Sequence, residues 1–290
     1  MGDKLIRVVI VSYNTCELLR NCLSLLYAST VVDKLTFTVV DNGSADASVA
    51  MVEREYPEVT LVHSSENLGF GRANNIALEG MHEPYALLVN SDTFVQPDTL
   101  EKLYRYMESN KDVGIAGPKT LNQDGSVQAS CRRFPSMAQA AVHGFLHKIA
   151  PRNRFSRAYR MEDMDHEATL DVDWVSGLCM MIRAQTAKAL GGFDPEYFFY
   201  VEDVDLCKRA HMDGWRVVFC GEASVVHLGG ASGGYHSPKM ISEFHKSMLA
   251  YYRKHGKQKW LFPFVWVGVQ IRKAVVLWVN QFQRHNSSVN

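Results

Sequence analysis

Acidic residues stand at three places where side chains could bind a ligand or move a proton. Asp41 follows the apolar run Phe37–Val40, and Asp92 follows the run Ala86–Val89. A carboxylate at the end of a buried strand can accept hydrogen bonds from a ribose or a base. Beside an amide, it also supplies the hard oxygen ligands that suit Mg²⁺ or Mn²⁺ on a diphosphate. Both aspartates are therefore candidates for a nucleotide and metal site.

Local structure offers a competing interpretation of both aspartates. Asp41 begins an Asn-Gly turn, in which Ser44 could cap a helix. Asp92 or Thr93 could likewise begin the helix that is predicted after Pro97. Each short string alone is compatible with either role.

The third acidic group is Glu202-Asp203-Val204-Asp205, which follows the aromatic residues 197–200. The helix dipole favours carboxylates in a first helical turn, which explains part of the cluster. Three carboxylates beside a wall of aromatic rings exceed what capping requires. Desolvation by the rings would raise the pKa of a carboxyl towards a value useful in a general base, so the cluster predicts proton transfer.

His227 ends the apolar run Ala223–Val226 and precedes the small residues 229–234. A histidine after a strand often makes a structural hydrogen bond. The small residues would also allow a phosphate or a loop to approach closely. A structural role and a role in metal or diphosphate binding both stay open.

These residues lie in a pattern of alternating strands and helices. Continuous apolar runs predict buried strands, and apolar residues at helical spacing predict the helices between them. The predicted strands are Ile6–Val11, Phe37–Val40, Val59–Val62 and Tyr85–Val89, and the predicted helices are Leu18–Leu26, Ala45–Tyr56 and Arg72–Glu79. Three strands end in polar loops, at the edge where open α/β sheets bind ligands. We expect a doubly wound, mostly parallel sheet with helices on both faces.

The second half of the chain is less regular. Between Pro118 and Asp171 the pattern breaks into Gly, Pro, Arg and aromatic residues, which predicts a long loop or an irregular subdomain near a substrate. Order returns with predicted strands at 172–175, 179–182 and 215–219, and with helices at 184–190 and from Glu202 onwards.

Composition excludes several classes of protein. Of the 290 residues, 47% are hydrophobic and 21% are charged, which excludes a disordered, collagenous or coiled-coil chain. The 31 basic residues balance 31 acidic ones, so no global charge favours nucleic acid. The six cysteines form no Cys-x-x-Cys pair, and the N-terminus lacks the cleavage site of a signal peptide. We expect a reduced, cytoplasmic protein.

Basic residues are concentrated in two stretches without acidic residues. Residues 131–160 contain seven lysines and arginines, and residues 246–284 contain eight. One such run is usually a solvated face. Two runs, the second of which is joined to an apolar segment, favour contact with phosphates or with an anionic membrane.

The apolar segment Trp260–Phe282 is long enough to cross a membrane, but Arg272 and Lys273 lie near its middle and Pro263 near its start. Central cations disfavour a spanning helix. A helix here would separate a polar stripe of Gln270, Lys273, Asn280 and Arg284 from an apolar surface with Trp266, Val269, Val276, Leu277 and Trp278. This pattern is typical of a helix in the membrane interface. Packing on the core or a homodimer contact is the alternative.

Taken together, the motifs resemble those of family 2 glycosyltransferases of the GT-A fold, especially bacterial enzymes that transfer rhamnose or similar sugars. The resemblance runs from Ile6 to His255. Its seven motifs, in the family's order, are Val11-Ser12-Tyr13-Asn14, Asp41-Asn42-Gly43-Ser44, residues 67–75, Asn90-Ser91-Asp92, Gly191-Gly192-Phe193-Asp194, residues 202–206 and His227. It implies a GT-A domain over 1–255, with a nucleotide-binding half (1–117) and an acceptor-binding half (118–255), and a membrane-associating extension over 256–290.

The resemblance also implies which residues bind the donor, a nucleotide-sugar. Ser12, Tyr13 and Asp41 would hold the base and ribose, and Asn67 and Asn74 would line the diphosphate. The full implied set is Ser12, Tyr13, Asn14, Asp41, Asn67, Gly69, Asn74, Asn90 and Ser91.

The metal and catalytic residues are implied in the same way. Asp92 matches the last acid of the family's Asp-x-Asp metal motif, and His227 matches a histidine near the metal or diphosphate. Asp203 matches the catalytic base, and Glu202 would contact the donor sugar or the acceptor. The family's fuller motif has aspartate where this chain has Asn90. Loss of one anionic ligand weakens the site, so Mg²⁺ or Mn²⁺ would bind together with the nucleotide.

The implied reaction is an inverting, single-displacement transfer from dTDP-rhamnose or a UDP-sugar to a lipid-linked or polysaccharide acceptor, with Asp203 as the base. The enzyme would work peripherally on the inner face of the cell membrane. A sugar nucleotidyltransferase is one alternative, but it would need a loop rich in Gly and Lys after the first strand, and residues 12–15 lack both. A non-catalytic carbohydrate- or lipid-binding protein is the other, and the retained Asp92 and Asp203 argue against it.

Overall fold

The centre of the fold is a mixed, mostly parallel sheet. The computed structural model describes residues 3–134, 161, 163–229 and 237–287, with side chains to residue 281. Four parallel strands form one half of the sheet in the order β3 (Thr60–His63), β2 (Leu35–Asp41), β1 (Ile6–Ser12) and β4 (Tyr85–Asn90). Three of them, β1, β2 and β4, are the predicted buried strands, extended by one or two residues at their ends. The strand β3 is shifted by one residue from the predicted Val59–Val62, and its residues are exposed or half-buried.

The other half of the sheet contains the antiparallel pairs. Beyond β4 the order is β11 (Cys179–Arg183), β6 (Val113–Leu121), β12 (Arg216–His227) and β5 (Thr93–Val95). The strand β11 is antiparallel to β4 and β6, whereas β12 is parallel to β6 and antiparallel to β5. The short strands are β7 (Val127–Gln128) beside β6, β9 (Thr169–Asp171) beside β12, and the separate pair β8 (Cys131–Arg132) and β10 (Trp174–Val175).

Helices cover both faces of the sheet, as predicted. On one face lie α1 (Cys16–Tyr27), α2 (Ser48–Glu55) and α4 (Thr99–Ser109), and on the other lie α3 (Phe70–Leu78), α5 (Ala184–Leu190) and α6 (Glu202–Met212). Side chains alternate along β1, so Val8 and Ile10 belong to the first core and Val9 to the second. Because both faces are buried, the strands are continuous apolar runs.

The strand β6 crosses a region that the sequence pattern predicts to be irregular. It continues through Pro118 to Leu121, so residue 117, the expected boundary between the two halves, lies inside one strand of a shared sheet. Proline cannot donate a ladder hydrogen bond and is tolerated next to a bulge. Here Pro118 is opposite Cys220 and Lys119 is opposite Ser224, so residues 221–223 of β12 form an irregularity at this point.

Two helices follow the sheet, and the second of them lies in the predicted C-terminal extension, residues 256–290. They are α7 (Pro238–His255) and α8 (Phe262–Ser287), which contact each other. The N-terminus of α7 is capped by Ser237, whose Oγ accepts a hydrogen bond from the Met240 N–H at 3.2 Å.

Candidate active site

Buried hydroxyl groups join the ends of β1 and β4. Ser12 Oγ lies 3.0 Å from Thr15 Oγ1, which lies 2.9 Å from Ser91 Oγ. All three side chains are buried. The chain of hydrogen bonds brings the first and fourth motifs together at the carboxyl edge of the sheet, where ligands were expected.

Asp41 stabilises a turn and keeps one oxygen without a protein partner. Its Oδ2 accepts a hydrogen bond from the Ser44 N–H at 3.1 Å and lies 3.0 Å from His63 Nδ1. Its Oδ1 is buried and has no hydrogen-bond partner among the described residues. A buried acceptor of this kind costs free energy unless a ligand supplies a donor. The alternative in which Ser44 caps a helix is wrong, because α2 begins at Ser48.

The loop after β1 is tied to the loop after β2. Asn14, in the left-handed region with φ 54, accepts a hydrogen bond from the Ala45 N–H at 2.7 Å, and its own N–H donates to Ser44 Oγ at 2.9 Å. The Asn42 N–H donates to the Ser12 carbonyl at 2.8 Å. Tyr13, half-buried between these contacts, is therefore held on a fixed turn.

Asparagine side chains hold the 67–75 loop in place. Asn67 Oδ1 accepts hydrogen bonds from Asn42 Nδ2 at 3.1 Å and from the Gly69 N–H at 2.9 Å. Asn74 is buried and donates to the Phe70 carbonyl at 2.9 Å. Both asparagines therefore shape the loop, and their contact with a diphosphate stays a prediction.

The same loop docks on the segment that leads into α6. The Phe70 N–H donates to the Phe198 carbonyl at 3.0 Å. Gly69 has φ 83, and a methyl group at this position would collide with the Phe198 carbonyl oxygen. Asn75 closes a second clamp, since it donates to the Phe193 carbonyl and accepts from the Phe193 N–H, both at 2.8 Å. The 67–75 loop and the segment before α6 are thus one packed unit.

Asp203 is held by two backbone N–H groups near the end of β4. Its Oδ2 accepts from the Gly177 N–H at 3.0 Å and its Oδ1 from the Val204 N–H at 2.8 Å. The next residue, Leu178, accepts a hydrogen bond from the Asn90 N–H at 2.9 Å. One short loop therefore connects the predicted base to the Asn90-Ser91-Asp92 motif.

The carboxyl groups of Glu202 and Asp203 differ in their environments. Burial and the neighbouring Asp203 carboxylate raise the pKa of Glu202 well above its ordinary value, and its Oε2 has no hydrogen-bond partner among the described residues. Burial also raises the pKa of Asp203, but the Gly177 and Val204 N–H groups and the Arg132 cation oppose this. The environment therefore favours the ionised form of Asp203 over that of Glu202.

The backbone just before α6 is strained. Tyr200 and Val201 have φ 67 and 72, in the left-handed region that a β-branched residue rarely adopts. Such conformations cluster at functional sites. Here they direct Glu202 and Asp203 into the first turn of α6.

The third carboxyl of the cluster, Asp205, is structural. Arg209 Nε donates to it at 2.7 Å, and from α7 His255 Nε2 lies at 2.7 Å and Lys254 Nζ at 2.9 Å. Burial alone would raise the pKa of Asp205, but the hydrogen bonds from His255 and Lys254 and the Arg209 cation lower it to about 2. Asp205 thus attaches α7 to α6.

Asp92 and His227 face each other at the ends of two strands. His227 is opposite Thr93 in the β5–β12 pair, and His227 Nε2 lies 3.4 Å from Asp92 Oδ1. His227 Nδ1 lies 2.7 Å from Gln128 Oε1, an atom that only accepts, so Nδ1 is the ring nitrogen that donates. The other ring nitrogen, Nε2, is then the one that can bind a cation beside Asp92. The alternative in which Asp92 or Thr93 caps a helix is wrong, because Thr93 starts β5 and the next helix begins at Thr99.

This pair fits a divalent cation that completes its coordination with phosphate and water. Asp92 Oδ1 is buried and has no hydrogen-bond partner among the described residues. Adjacent ligands of an octahedral ion with bonds of 2.0–2.1 Å are roughly 3 Å apart, close to the separation of 3.4 Å. Within the described ranges no three His, Cys, Asp or Glu side chains group around one point, so the protein offers two ligands here.

Sequence reasoning missed Gln128, which orients His227 from β7. It counted Arg132 among the basic residues expected to contact phosphates, but did not predict that Arg132 on β8 lies near Asp203. Other expected elements lie outside the described residues, namely the small residues 230–234 and the basic residues Lys148, Arg152, Arg154, Arg157 and Arg160.

Comparison with known proteins identifies relatives of the whole domain. Residues 3–255 match the family described as glycosyltransferase like family 2. An N-acetylglucosaminyl-diphospho-decaprenol L-rhamnosyltransferase of Mycobacterium tuberculosis is 30% identical over 270 residues, which cover 89% of this chain and 87% of that protein. Rhamnosyltransferase WbbL of Escherichia coli is 28% identical over 167 residues, 55% of this chain and 60% of that protein.

Solved structures share the fold at lower sequence identity. The mannosyltransferase PcManGT from Pyrobaculum calidifontis, in complex with GDP-Man and Mn²⁺, has a TM-score of 0.62 at 18% identity, and the match covers 100% of this chain and 81% of that one. GalNAc-T7, with UDP, GalNAc and Mn²⁺, has a TM-score of 0.64 at 12% identity over 89% of this chain and 50% of that one. Both likenesses confirm the expected GT-A fold. With a family match that spans most of its length, the chain belongs to the family 2 glycosyltransferases.

Proposed function

We propose that this glycosyltransferase moves rhamnose, or a similar sugar, from a nucleoside diphosphate to a lipid-linked acceptor with inversion at the anomeric carbon. The observation that carries the proposal is the loop 176–178, which binds Asp203 through Gly177 and the end of β4 through Leu178. A base and a diphosphate site that one short loop joins suit a single-displacement transfer. The names of the relatives support the sugar and the acceptor, and family membership favours transfer over both alternatives considered from the sequence.

The two adjacent carboxyl groups have different tasks in this reaction. Asp203 removes the proton of the acceptor hydroxyl while that oxygen bonds to the anomeric carbon. The bond from this carbon to the diphosphate oxygen breaks, and its electron pair leaves with the nucleoside diphosphate. Glu202 keeps its proton, so it can donate a hydrogen bond to the donor sugar or the acceptor.

The donor is bound at the ends of β1, β2 and β4. We assign the unpartnered Asp41 Oδ1 to a ribose hydroxyl or a base N–H, and the hydroxyls near Ser12 and Ser91 to the polar wall of the nucleotide site. Asn67 and Gly69 shape the loop that closes over the diphosphate. A dTDP or UDP donor is the proposal.

Asp92 and His227 are the residues that would hold Mg²⁺ or Mn²⁺. Gln128 fixes the ring of His227, and Asn90 supplies an amide in place of a carboxylate. The chemistry that such a cation supplies when bound is neutralisation of the negative charge on the departing diphosphate.

A lipid-linked acceptor is confined to a membrane surface. We therefore place the enzyme on the inner face of the cell membrane as a peripheral protein, with residues 256–290 as its membrane-associating part. We assign the phosphates of the acceptor to Arg132, near Asp203, and to its neighbour Arg133.

The test is transfer from a panel of dTDP- and UDP-sugars to a synthetic N-acetylglucosaminyl-diphospho-lipid, with the anomeric configuration of the product read by NMR. We expect an inverted product from dTDP-rhamnose. The control variant is Glu53→Gln, which changes an exposed carboxylate on α2. A retained configuration would refute the single displacement, and transfer from none of these donors would refute the proposed substrate class.

A further inference from the structure

The helix α8 presents its apolar side to solvent. Exposed residues recur at helical spacing at Phe264, Val267, Ile271, Val275 and Trp278, and about half or more of each side chain is exposed. A helix on the surface of a soluble protein normally has the opposite arrangement, with the apolar stripe against the core. The 23 residues Lys259–Gln281 are also long and apolar enough to cross a membrane.

The opposite side of α8 is attached to α7 near its middle. Arg272 donates to His245 Nε2 at 3.0 Å, and its guanidinium lies 5.5 Å from the centre of the Phe244 ring. His245 Nδ1 donates to the Ile241 carbonyl at 2.6 Å, so the neutral ring has Nε2 free to accept from Arg272. The central cation that disfavours a spanning helix in the sequence therefore points towards the protein.

Other residues confirm which side of α8 faces the protein. Val269 and Asn280 are both buried, although the sequence pattern placed them on opposite surfaces. The expected apolar surface is thus corrected: Trp278 belongs to the exposed face and Val269 does not. Which residues of α8 are exposed therefore depends on which side of the helix contacts α7, and not on residue polarity alone.

The helix α7 is in turn fixed to the catalytic domain. Ser247 Oγ donates to the Phe199 carbonyl at 3.2 Å, and Lys254 and His255 contact Asp205 on α6. A helix bound to the domain at its midpoint lies along that domain, so α8 could not point across a bilayer without breaking these contacts.

We propose that the exposed face of α8 lies in the surface of an anionic lipid bilayer, parallel to the membrane plane. From Phe264 to Trp278 the apolar face extends about 21 Å at 1.5 Å per residue. Trp260 and Trp278 stand near its two ends, where tryptophan rings prefer the headgroup region. Of the cations that follow Glu243, Lys246, Arg253 and Lys254 pair with acidic residues and Arg272 contacts α7. On the segment 257–281, which has no acidic residue, Lys257, Lys259 and Lys273 are the cations that we assign to anionic lipid.

The charge pattern also decides between a bilayer and a second copy of the chain. A symmetric dimer through this face would place two acid-free stretches of equal charge beside each other. Like charges held together this way destabilise the contact, whereas anionic headgroups neutralise them. This inference does not depend on the donor or acceptor of the proposed function.

The experiment is flotation of the full chain with vesicles of phosphatidylcholine, with and without phosphatidylglycerol. We expect binding to the anionic vesicles, weakened by salt. The double variant Ile271→Glu/Val275→Glu should lower the partition coefficient at least about tenfold, because two apolar side chains that the bilayer would bury become charged. The control Met212→Glu changes a residue on α6 that is as exposed as Phe264, at 71%, and should bind as the unchanged protein does.

Four further measurements complete the test: melting temperature, nucleotide binding, oligomeric state and extraction at pH 11. The melting temperature and nucleotide binding of the double variant should equal those of the unchanged protein, which separates loss of binding from misfolding and from failure of the proposed function. Equal flotation of the double variant would overturn the proposal. So would a dimer that the double variant converts to monomer without any flotation, which would make the face a dimer contact, or resistance of the bound protein to extraction at pH 11, which would indicate a spanning helix.

Discussion

Two carboxylates separated by a single residue in α6 are expected to respond in opposite ways to the same substitution. Asp203→Asn removes the proposed base, whereas Asp205→Asn removes the charge and one of the two acceptor oxygens shared by Arg209, Lys254 and His255. A general base contributes about 10²-fold or more to turnover, so Asp203→Asn should lower kcat by at least that factor. Its melting temperature should stay within about 2 °C of the unchanged protein, because the amide is spared the cost of a buried charge.

The expected loss of stability in Asp205→Asn follows from the pKa of Asp205 in the unchanged protein. The pKa of Asp205 falls from its ordinary value of 3.8 to about 2, so the folded state favours the carboxylate by about 2 kcal/mol. Solvent does not screen this interaction, because the side chain is buried. Loss of this contribution should lower the melting temperature by roughly 5 °C. Because the folded pKa is depressed, the contribution is present above the ordinary pKa and is lost as pH falls towards about 2. The difference in stability between the unchanged protein and the variant should therefore narrow below pH 4.

The assay pairs thermal melts from pH 7 to pH 3 with initial rates of sugar transfer for both variants. Near-normal turnover of Asp203→Asn would refute the assignment of the base. An unchanged melting temperature for Asp205→Asn would refute the assignment of its structural role. A stability difference that widens on acidification would show that the sign of the linkage is wrong.

Four more variants have expected results. Asp92→Ala should abolish the dependence of nucleotide affinity on divalent cation. Gln128→Leu should weaken this dependence about tenfold, because the ring of His227 loses its orienting acceptor. Calorimetry with and without Mn²⁺ checks both variants, and a nucleotide affinity of the unchanged protein that does not depend on metal would contradict both predictions. Arg132→Gln should move the acid limb of the kcat/KM profile to higher pH, since the Arg132 cation lowers the pKa of Asp203; an unmoved limb would exclude this interaction. Gly69→Ala should lower both the melting temperature and nucleotide affinity, because the methyl group meets the Phe198 carbonyl, and normal values for both would show that the loop does not need this contact.

The positions of the strand-end residues could be predicted because buried parallel strands leave a simple signal. The apolar runs before Asp41 and Asp92 end where the strands end, and the order of the sheet then brings Ser12 and Ser91 within reach of Thr15. Nothing beyond local pattern was needed, since each strand has both faces covered.

Contacts across long separations in sequence could not be predicted in this way. Gln128 is 99 residues from His227, and the pairing depends on how β7 and β5 flank the ends of longer strands. Asp205 resembles its neighbours in the sequence, and only its partners on α7, about 50 residues away, make it structural. The three-residue strand β5 is too short to show a period, so Thr93 looked like a helix cap.

Whether His227 faces Asp92 depends on how many residues the irregular segment 221–223 of β12 contains, rather than on which residues they are. Successive side chains of a strand point to opposite faces, so the face that His227 occupies depends on whether an odd or even number of residues separates it from the paired part of β12. Deletion of one residue from this segment would put Leu228 opposite Thr93 and turn the imidazole to the other face, with every residue of the site still present. A search for relatives that bind metal in the same way should therefore count the residues in this segment as well as compare the motifs.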